Sequence, residues 1–253
     1  SHKGMLGILS LDTAFPRIIG DVGNPLSYPF AAKVRIVPGA DSPKIVQDGL
    51  PDETLLQGFE DAARALEHQG AAAIVSTCGF LITARSRIAR AVRVPVMLSA
   101  LSLFPVVRAT TPGRIGILTA SGAALGPPAL AAAGIAPDDV VIQGMEHEHA
   151  FAATFLAPRD RHSLTFDPAM MEQAVLSAGR LLLSSAPDIR AILLECGNLP
   201  PYAPALRAAT GLPVYHLLDA ARWMMSAQGV IRASLDALTG CRGRPPPSIR
   251  SRS

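Results

Sequence analysis

The sequence predicts an α/β protein with two pseudo-symmetric lobes, each a parallel sheet flanked by helices. Short, continuous apolar runs recur along the 253 residues, and helical stretches separate them. Continuous apolar runs are typical of strands buried on both faces of a parallel sheet, and their alternation with helices is typical of the α/β class. Two strand–helix units also match one another in residue type and spacing, which indicates an internal duplication.

Seven apolar runs are predicted to be strands. They are "MLGILSL" (5–11), "AAAIVST" (71–77), "VPVMLS" (94–99), "RIGILTA" (114–120), "DVVIQGM" (139–145), "IRAILLE" (189–195) and "LPVYHL" (212–217). The two clearest helices are predicted over 52–69 and 167–186. The first begins with acidic residues and stops at Gly70, and the second has Asp167 as its N-cap and Pro168 in its first turn.

The duplication is clearest where two strands end in cysteine. "AAAIVSTCGF" and "IRAILLECGN" both place Cys-Gly after an apolar run, at Cys78 and Cys196. A Pro-Val pair opens the next strand 17 residues after each cysteine, at Pro95 and Pro213. The predicted divisions are lobe 1 over 5–105 plus 214–240, with a C-terminal helix, lobe 2 over 106–213, and a disordered basic tail over 241–253.

Charge and composition argue against several classes of protein. The formal net charge is +3, but the tail "CRGRPPPSIRSRS" contains four arginines and no acid, so the body is nearly neutral. A nucleic-acid-binding face needs basic residues clustered on the body, so no nucleic-acid partner is expected. The longest uncharged run, between Arg114 and Asp138, is interrupted by prolines, so no membrane span is expected. Three cysteines and no recognisable signal peptide predict a reduced, cytoplasmic protein without a disulfide framework.

Both duplicated cysteines are predicted to lie in an active site between the lobes. Ligands of open parallel sheets bind at the carboxyl ends of strands, and Cys78 and Cys196 follow such ends. If the lobes face one another, the two thiols face one another across a cleft. Gly79 and Gly197 are then expected to let a substrate approach the backbone. N–H groups of the following helix are expected to hold an anion and to lower the thiol pKa.

Two opposed thiols can transfer protons without a cofactor. One thiolate removes a proton from a carbon acid, and the other thiol returns a proton from the opposite face, which inverts that carbon. Fixed N–H donors would stabilise the carbanion, so neither a metal nor pyridoxal is required. The alternative is that each cysteine is an inert core residue, which the matched spacing of the pair disfavours.

The repeated strand–Cys–Gly pattern resembles the aspartate/glutamate racemase superfamily, which includes glutamate, aspartate and hydantoin racemases, maleate isomerase and arylmalonate decarboxylase. The resemblance covers about residues 5–240. It implies a cofactor-independent enzyme in which Cys78 and Cys196 are the paired acid and base. The residues after the cysteines depart from the family pattern, with Gly-Phe where Asn-Thr is usual and Gly-Asn where Thr-His is usual. These departures disfavour glutamate or aspartate as the substrate.

The resemblance also implies residues that bind the substrate. "GILTASG" is similar to the family's carboxylate-holding strand-loop, and the loop "SLDTAFPRIIGDVGNP" supplies polar residues near the thiol. The predicted substrate-binding residues are Asp12, Thr13, Gly79, Phe80, Thr119, Ser121, Gly197 and Asn198. Several of them have structural alternatives as turn formers or helix N-caps. Phe80 favours an apolar or bulky ligand.

No metal site is predicted, and two further acidic or basic groups are interpreted as structural. "EHEH" (146–149) lacks the helical spacing of zinc ligands and a third partner, so a solvated turn is favoured. His216 follows a core strand and is expected to be a buried histidine. Strand alternation directs Glu195 away from Cys196, so a structural role is expected for Glu195.

The leading hypothesis is therefore racemisation or epimerisation of a small carboxylate, either an amino acid or a hydantoin-like compound. A malonate-type decarboxylase or a cis-trans isomerase of the same superfamily is the alternative, since decarboxylation needs only one thiol. A non-catalytic two-lobed binding protein is the third hypothesis, which the lack of a signal peptide disfavours. The expected partner is a small-molecule carboxylate, and a homo-oligomer is left open.

Overall fold

Two four-stranded parallel sheets form the core of the computed structural model, which describes residues 4–230. The strand order is β2-β1-β3-β4 in the first sheet and β6-β5-β7-β8 in the second. The strands are β1 (Met5–Ser10), β2 (Ala32–Ile36), β3 (Ala71–Ser76), β4 (Val96–Met97), β5 (Arg114–Thr119), β6 (Val140–Gly144), β7 (Ile189–Leu194) and β8 (Val214–Tyr215). The two-lobed α/β class is confirmed, and all seven predicted runs contain strands.

The two sheets repeat one another in register as well as in order. β1 pairs with β3 and β5 pairs with β7, and each pairing contains one irregularity at its first residue, at Met5 and at Arg114. The short strands β4 and β8 pair with equivalent positions of β3 and β7. This correspondence supports the duplication that was inferred from the cysteine spacing.

One strand escapes the sequence prediction. β2 has the sequence AKVRI, in which Lys33 and Arg35 are exposed between half-buried Ala32 and Val34. It lies at the edge of the first sheet, so only one neighbour pairs with it and its outer side chains meet solvent. An alternating edge strand lacks the continuous apolar run that identifies the central strands.

Helices cover both sheets. They are α1 (Ser42–Ile45), α2 (Glu53–His68), α3 (Arg85–Ala91), α4 (Phe104–Thr110), α5 (Pro127–Ala132), α6 (His149–Phe151), α7 (Pro168–Ser185), α8 (Ala203–Thr210) and α9 (Leu217–Ala227), and a π-helical turn over Ala152–Leu156 continues α6. The predicted caps are present, because Asp52 accepts from an N–H of α2 and Asp167 accepts from an N–H of α7. Within residues 4–230, no helix is long and apolar enough to cross a membrane.

The lobes exchange one helix each. α4 follows β4 of the first sheet but contacts β5 of the second, and α9 follows β8 of the second sheet but contacts β3 of the first. The predicted assignment of residues 214–240 to lobe 1 is therefore wrong at its start, because β8 is hydrogen-bonded to β7. The other lobe boundaries stay a prediction, and the predicted tail 241–253 lies outside the described residues.

Candidate active site

Cys78 and Cys196 lie at equivalent ends of β3 and β7, as the duplication predicts. Both are free and buried, with 5% and 7% of their surface exposed. They line one cavity between the sheets, so the fold does bring the two thiols to a common site. Burial on this scale keeps each thiol out of bulk water.

The residues before the cysteines perform the same structural task with different chemistry. Thr77 Oγ1 accepts a hydrogen bond from the Leu11 N–H at 3.1 Å, and Glu195 Oε1 accepts one from the Ala120 N–H at 3.1 Å. Each residue thereby ties the end of one strand to the loop after the central strand of its sheet. One lobe uses a hydroxyl for this purpose, and the other uses a carboxylate.

The glycines after the cysteines serve the contact between lobes, which corrects the expectation that they admit a substrate. A Cβ atom at Gly79 would collide with Glu195, and a Cβ atom at Gly197 would collide with the Thr77 carbonyl oxygen. Each strand end therefore packs against the glycine of the opposite lobe. The space beside both glycines is filled by protein.

The cavity has an apolar wall and a polar floor. The apolar wall consists of Leu11, Phe15, Val46, Ala120, Phe151, Phe155 and Leu156. The polar residues are Arg17, Ser42, Thr77, Cys78, Glu195, Cys196 and Asn198. Its volume is ≈ 20 Å³, which is enough for about one water molecule. The wall must therefore move before a substrate of several heavy atoms can enter.

A chain of hydrogen bonds holds Cys196. Its thiol donates to Asn198 Oδ1 at 3.5 Å, and the Asn198 N–H donates back to the sulfur at the same distance. Asn198 Nδ2 donates to Asp21 Oδ2 at 2.7 Å, and Asp21 Oδ1 accepts from Arg17 at 2.9 Å. Asp21 is 2% exposed, so its charge is compensated by Arg17 inside the protein. Asn198 thus fixes the orientation of Cys196, as a predicted site residue.

Cys78 is held by a different set of groups. Ser76 Oγ accepts from the Cys78 N–H at 3.3 Å and donates to the Cys78 carbonyl at 2.9 Å. The Phe80 N–H points at the sulfur and favours the thiolate. The Phe80 ring is 1% exposed and lies outside the cavity wall, so the inference of a bulky ligand from Phe80 is not supported.

Burial raises the pKa of both thiols, contrary to the expectation of a lowered value. Desolvation is the main cause at Cys78 and at Cys196, and the negative charge of Glu195 adds to it at both sites. The N–H groups that point at the sulfurs lower the pKa by less. In the closed cavity both thiols are therefore protonated at neutral pH.

Glu195 lies inside the site rather than away from it. Oε1 accepts from the Thr119 hydroxyl at 2.7 Å and from the Ala120 N–H at 3.1 Å, whereas Oε2 is buried without a hydrogen-bond partner. Burial raises the pKa of Glu195 to about 7, although these donors oppose the shift. The structural role expected from strand alternation is incomplete, because β7 ends at Leu194 and the alternation ends with it.

The predicted carboxylate-holding loop binds carboxylates of the protein itself. Thr119 donates to Glu195, and Ser121 donates to Glu146 Oε2 at 2.7 Å. The Ala123 N–H also donates to Glu146 at 3.2 Å. Neither Thr119 nor Ser121 lines the cavity. Their predicted contact with a substrate is therefore absent from the closed structure.

Asp12 and Thr13 also lie outside the cavity wall, in the loop that closes over it. Asp12 accepts from the Gly39 N–H and forms an ion pair with Arg159 of the second lobe at 2.7 Å. Thr13 accepts from Arg17 Nη2 at 3.2 Å. We name the Asp12–Arg159 pair the clamp, because it joins the two lobes beside the cavity. His162 joins them too, since its Nδ1 accepts from the Ala14 N–H at 3.0 Å.

Sequence reasoning missed Arg17, Asp21 and the functional placement of Glu195. The first two act on Asn198, which is 177 residues away along the chain from Asp21, so no local pattern reveals them. Glu195 could have been found by aligning the two halves at their cysteines, which sets it opposite Thr77. Within residues 4–230, no group of three His, Cys, Asp or Glu side chains could hold a metal ion.

Comparison with known proteins gives one family and two kinds of relative. Residues 31–225 match the sequence model of the family described as Asp/Glu/Hydantoin racemase. The chain is 34% identical over 240 residues to a dimethylsulfoniopropionate lyase of Durusdinium sp. clade D, covering 91% of this chain and 75% of that protein. It is also 34% identical to dimethylsulfoniopropionate lyase 3 of Emiliania huxleyi, over 88% of this chain and 59% of that protein. Allantoin racemase from Klebsiella pneumoniae has a similar fold, with a TM-score of 0.58 and 18% identity over 90% of this chain and 89% of that chain.

Proposed function

Because the chain belongs to the Asp/Glu/hydantoin racemase family, we propose that it transfers a proton at the carbon next to a carboxylate, with Cys78 and Cys196 as the acid–base groups. The observation that carries this proposal is the placement of both thiols at equivalent strand ends around one cavity. The reaction we favour is the β-elimination of dimethylsulfoniopropionate, as the names of the relatives suggest. No cofactor takes part in this scheme, since the thiols and the substrate's leaving group supply every bond change.

In this reaction a thiolate removes a proton from the carbon next to the carboxylate. The bond between the neighbouring carbon and sulfur then breaks, and its electron pair leaves with dimethyl sulfide. Acrylate remains, and the proton stays on the enzyme until the site opens. The proton removed is weakly acidic, so a positioned base of this kind contributes about 10²–10⁴-fold to the rate.

The lining of the cavity fits a zwitterion with one anionic and one cationic end. Arg17 is the cation that lines the cavity, and its guanidinium can pair with a carboxylate. Phe15, Phe151 and Phe155 form an edge-to-face cluster in the wall, with ring centroids 4.8 Å and 5.0 Å apart. Aromatic groups bind alkylated cations through the ring quadrupole, and the methyl groups of a sulfonium also prefer an apolar wall.

The test is the release of dimethyl sulfide from dimethylsulfoniopropionate, measured by headspace gas chromatography. We expect turnover by the native protein and a loss of at least about 100-fold in Cys78→Ser or Cys196→Ser, whichever thiol is the base. Cys241→Ser is the matched control and should retain full activity. Absence of dimethyl sulfide from the native protein would reject the lyase reaction.

Racemisation is the second candidate, and the equivalence of the two thiols favours it. A substrate held between equivalent strand ends presents opposite faces to Cys78 and Cys196, as inversion requires. The assay is loss of optical rotation by chiral carboxylates and hydantoins in D₂O, with deuterium incorporation followed by mass spectrometry. In a racemase, Cys196→Ser should exchange deuterium into one enantiomer without inverting it, and Cys78→Ser should do so with the other. Release of CO₂ from a malonate would instead indicate the decarboxylase reaction.

A further inference from the structure

Glu195 carries one more oxygen than its structural task needs. Thr77, its equivalent in the first lobe, ties its strand end to the neighbouring loop with a single hydroxyl. Glu195 completes the same task with Oε1 alone, through Thr119 and Ala120. Oε2 is thus left over, and leaving a buried carboxylate oxygen unpaired costs free energy.

The free oxygen lies between the two thiols. Glu195 precedes Cys196 in the chain, and Oε2 packs against Gly79, the residue after Cys78. Glu195, Cys78 and Cys196 line the same cavity, and the charge of Glu195 acts on both sulfurs. The other charged groups at this site are Arg17, which lines the cavity, and Asp21, which Arg17 neutralises.

We propose that Glu195 is the internal proton acceptor of the two buried thiols. Its Oε2 takes the proton of a thiol, so that the S–H bond breaks, an O–H bond forms and a thiolate remains. The thiolate then takes the proton from the substrate carbon and restores its S–H bond. The proton on Glu195 leaves to water when the site opens. Glu195 acts through the cysteines and is a positioning residue, and this inference rests on the proposed proton transfer by the thiols.

A closed cavity explains why such a group is needed. Both thiols are protonated while the cavity has room for about one water molecule, so bulk solvent cannot ionise them during turnover. A carboxylate inside the wall can accept the proton without opening the site. Thr77 cannot perform this step, because a hydroxyl is far too weak a base near neutral pH.

Glu195→Gln tests the proposal, since glutamine keeps the Oε1 acceptor for Thr119 and Ala120. We expect kcat to fall by about 10²–10⁴-fold. The native rate should also fall as the pH drops below about 7, the pKa to which burial raises Glu195, and the variant should lack this limb. Glu146→Gln is the matched control, because Ser121 and Ala123 hold Glu146 in the same way outside the cavity wall. Native-like kcat and an unchanged pH profile in Glu195→Gln would overturn the proposal.

A second measurement needs no substrate and separates this proposal from the proposed function. Alkylation of Cys78 by iodoacetamide, followed by peptide mass spectrometry, should rise with pH less steeply above pH 7 in the native chain than in Glu195→Gln. The reason is that ionised Glu195 opposes formation of the thiolate. If no substrate is turned over but the two profiles differ, the proposed function fails and the coupling of Glu195 to the thiol stands. Identical profiles would reject the coupling itself.

Discussion

Replacing Glu195 with glutamine should stabilise the protein at pH 8. Burial raises the pKa of this carboxyl group from its ordinary value of 4.5 to about 7. A raised pKa means that the folded state binds the proton more tightly than the unfolded state does. The corresponding stability is fully present below pH 4.5 and is lost as the pH rises through 7. Glutamine carries no proton to lose, so its stability lacks this decline.

The size of the effect follows from the pKa shift. A shift of roughly 2.5 units corresponds to about 3 kcal/mol at 1.36 kcal/mol per unit. Glutamine keeps both hydrogen bonds to Oε1, but it leaves an amide NH₂ where Oε2 lacked a partner. That unpaired amide costs about 1–3 kcal/mol at every pH, so the informative quantity is the change with pH rather than the absolute difference.

Urea unfolding of both proteins at pH 5, 6, 7 and 8 measures this change. The free energy of unfolding of Glu195→Gln, minus that of the native chain, should increase by about 3 kcal/mol from pH 5 to pH 8. His216, whose pKa burial lowers to about 4, titrates in both proteins and cancels in the difference. Parallel stability curves would refute the reasoning, because they would mean that Glu195 ionises in the folded chain as easily as in water.

Three further perturbations follow from named contacts. Thr119→Val removes a hydrogen bond that lowers the pKa of Glu195, so the acid limb of the rate should move to higher pH in a pH–rate profile, and a fixed limb would contradict the assignment. Gly197→Ala places a Cβ against the Thr77 carbonyl and should lower the free energy of unfolding by about 1–3 kcal/mol, as measured in urea, whereas native stability would show that the lobes separate freely. Asp12→Asn weakens the clamp, which is a partly exposed ion pair, and should speed iodoacetamide labelling of Cys78 by up to about fivefold, with Asp61→Asn as the surface control. Unchanged labelling would mean that the cavity opens elsewhere.

The central fold was predictable because its signals are local or periodic. Strands buried on both faces leave continuous apolar runs, and the equal distance from Cys78 to Pro95 and from Cys196 to Pro213 reports the duplication directly. β2 was missed because an edge strand with exposed Lys33 alternates instead. The site was predictable only as far as the repeat reached, which was to the cysteines.

The remaining parts of the site depend on contacts between distant segments. Asp21 reaches Asn198 across the interface between the lobes, and no spacing rule announces that contact. The expected lowering of the thiol pKa considered the local N–H groups of Phe80 and Asn198 but not the depth of the cavity. Glycine after each cysteine suggested room for a ligand, whereas Gly79 admits the side chain of Glu195.

The exchange of α4 and α9 makes the two repeats a single cooperative folding unit. Each sheet obtains a covering helix from the far side of the duplication, so a half-length chain would expose an apolar sheet surface and lack its own neighbour. We expect neither half to be stable alone, and we expect one unfolding transition rather than two. An ancestral half of this protein would have needed a second copy of itself to exchange helices with. The pseudo-symmetric enzyme then corresponds to a fused dimer, and fusion allowed one position to become Thr77 and its counterpart to become Glu195.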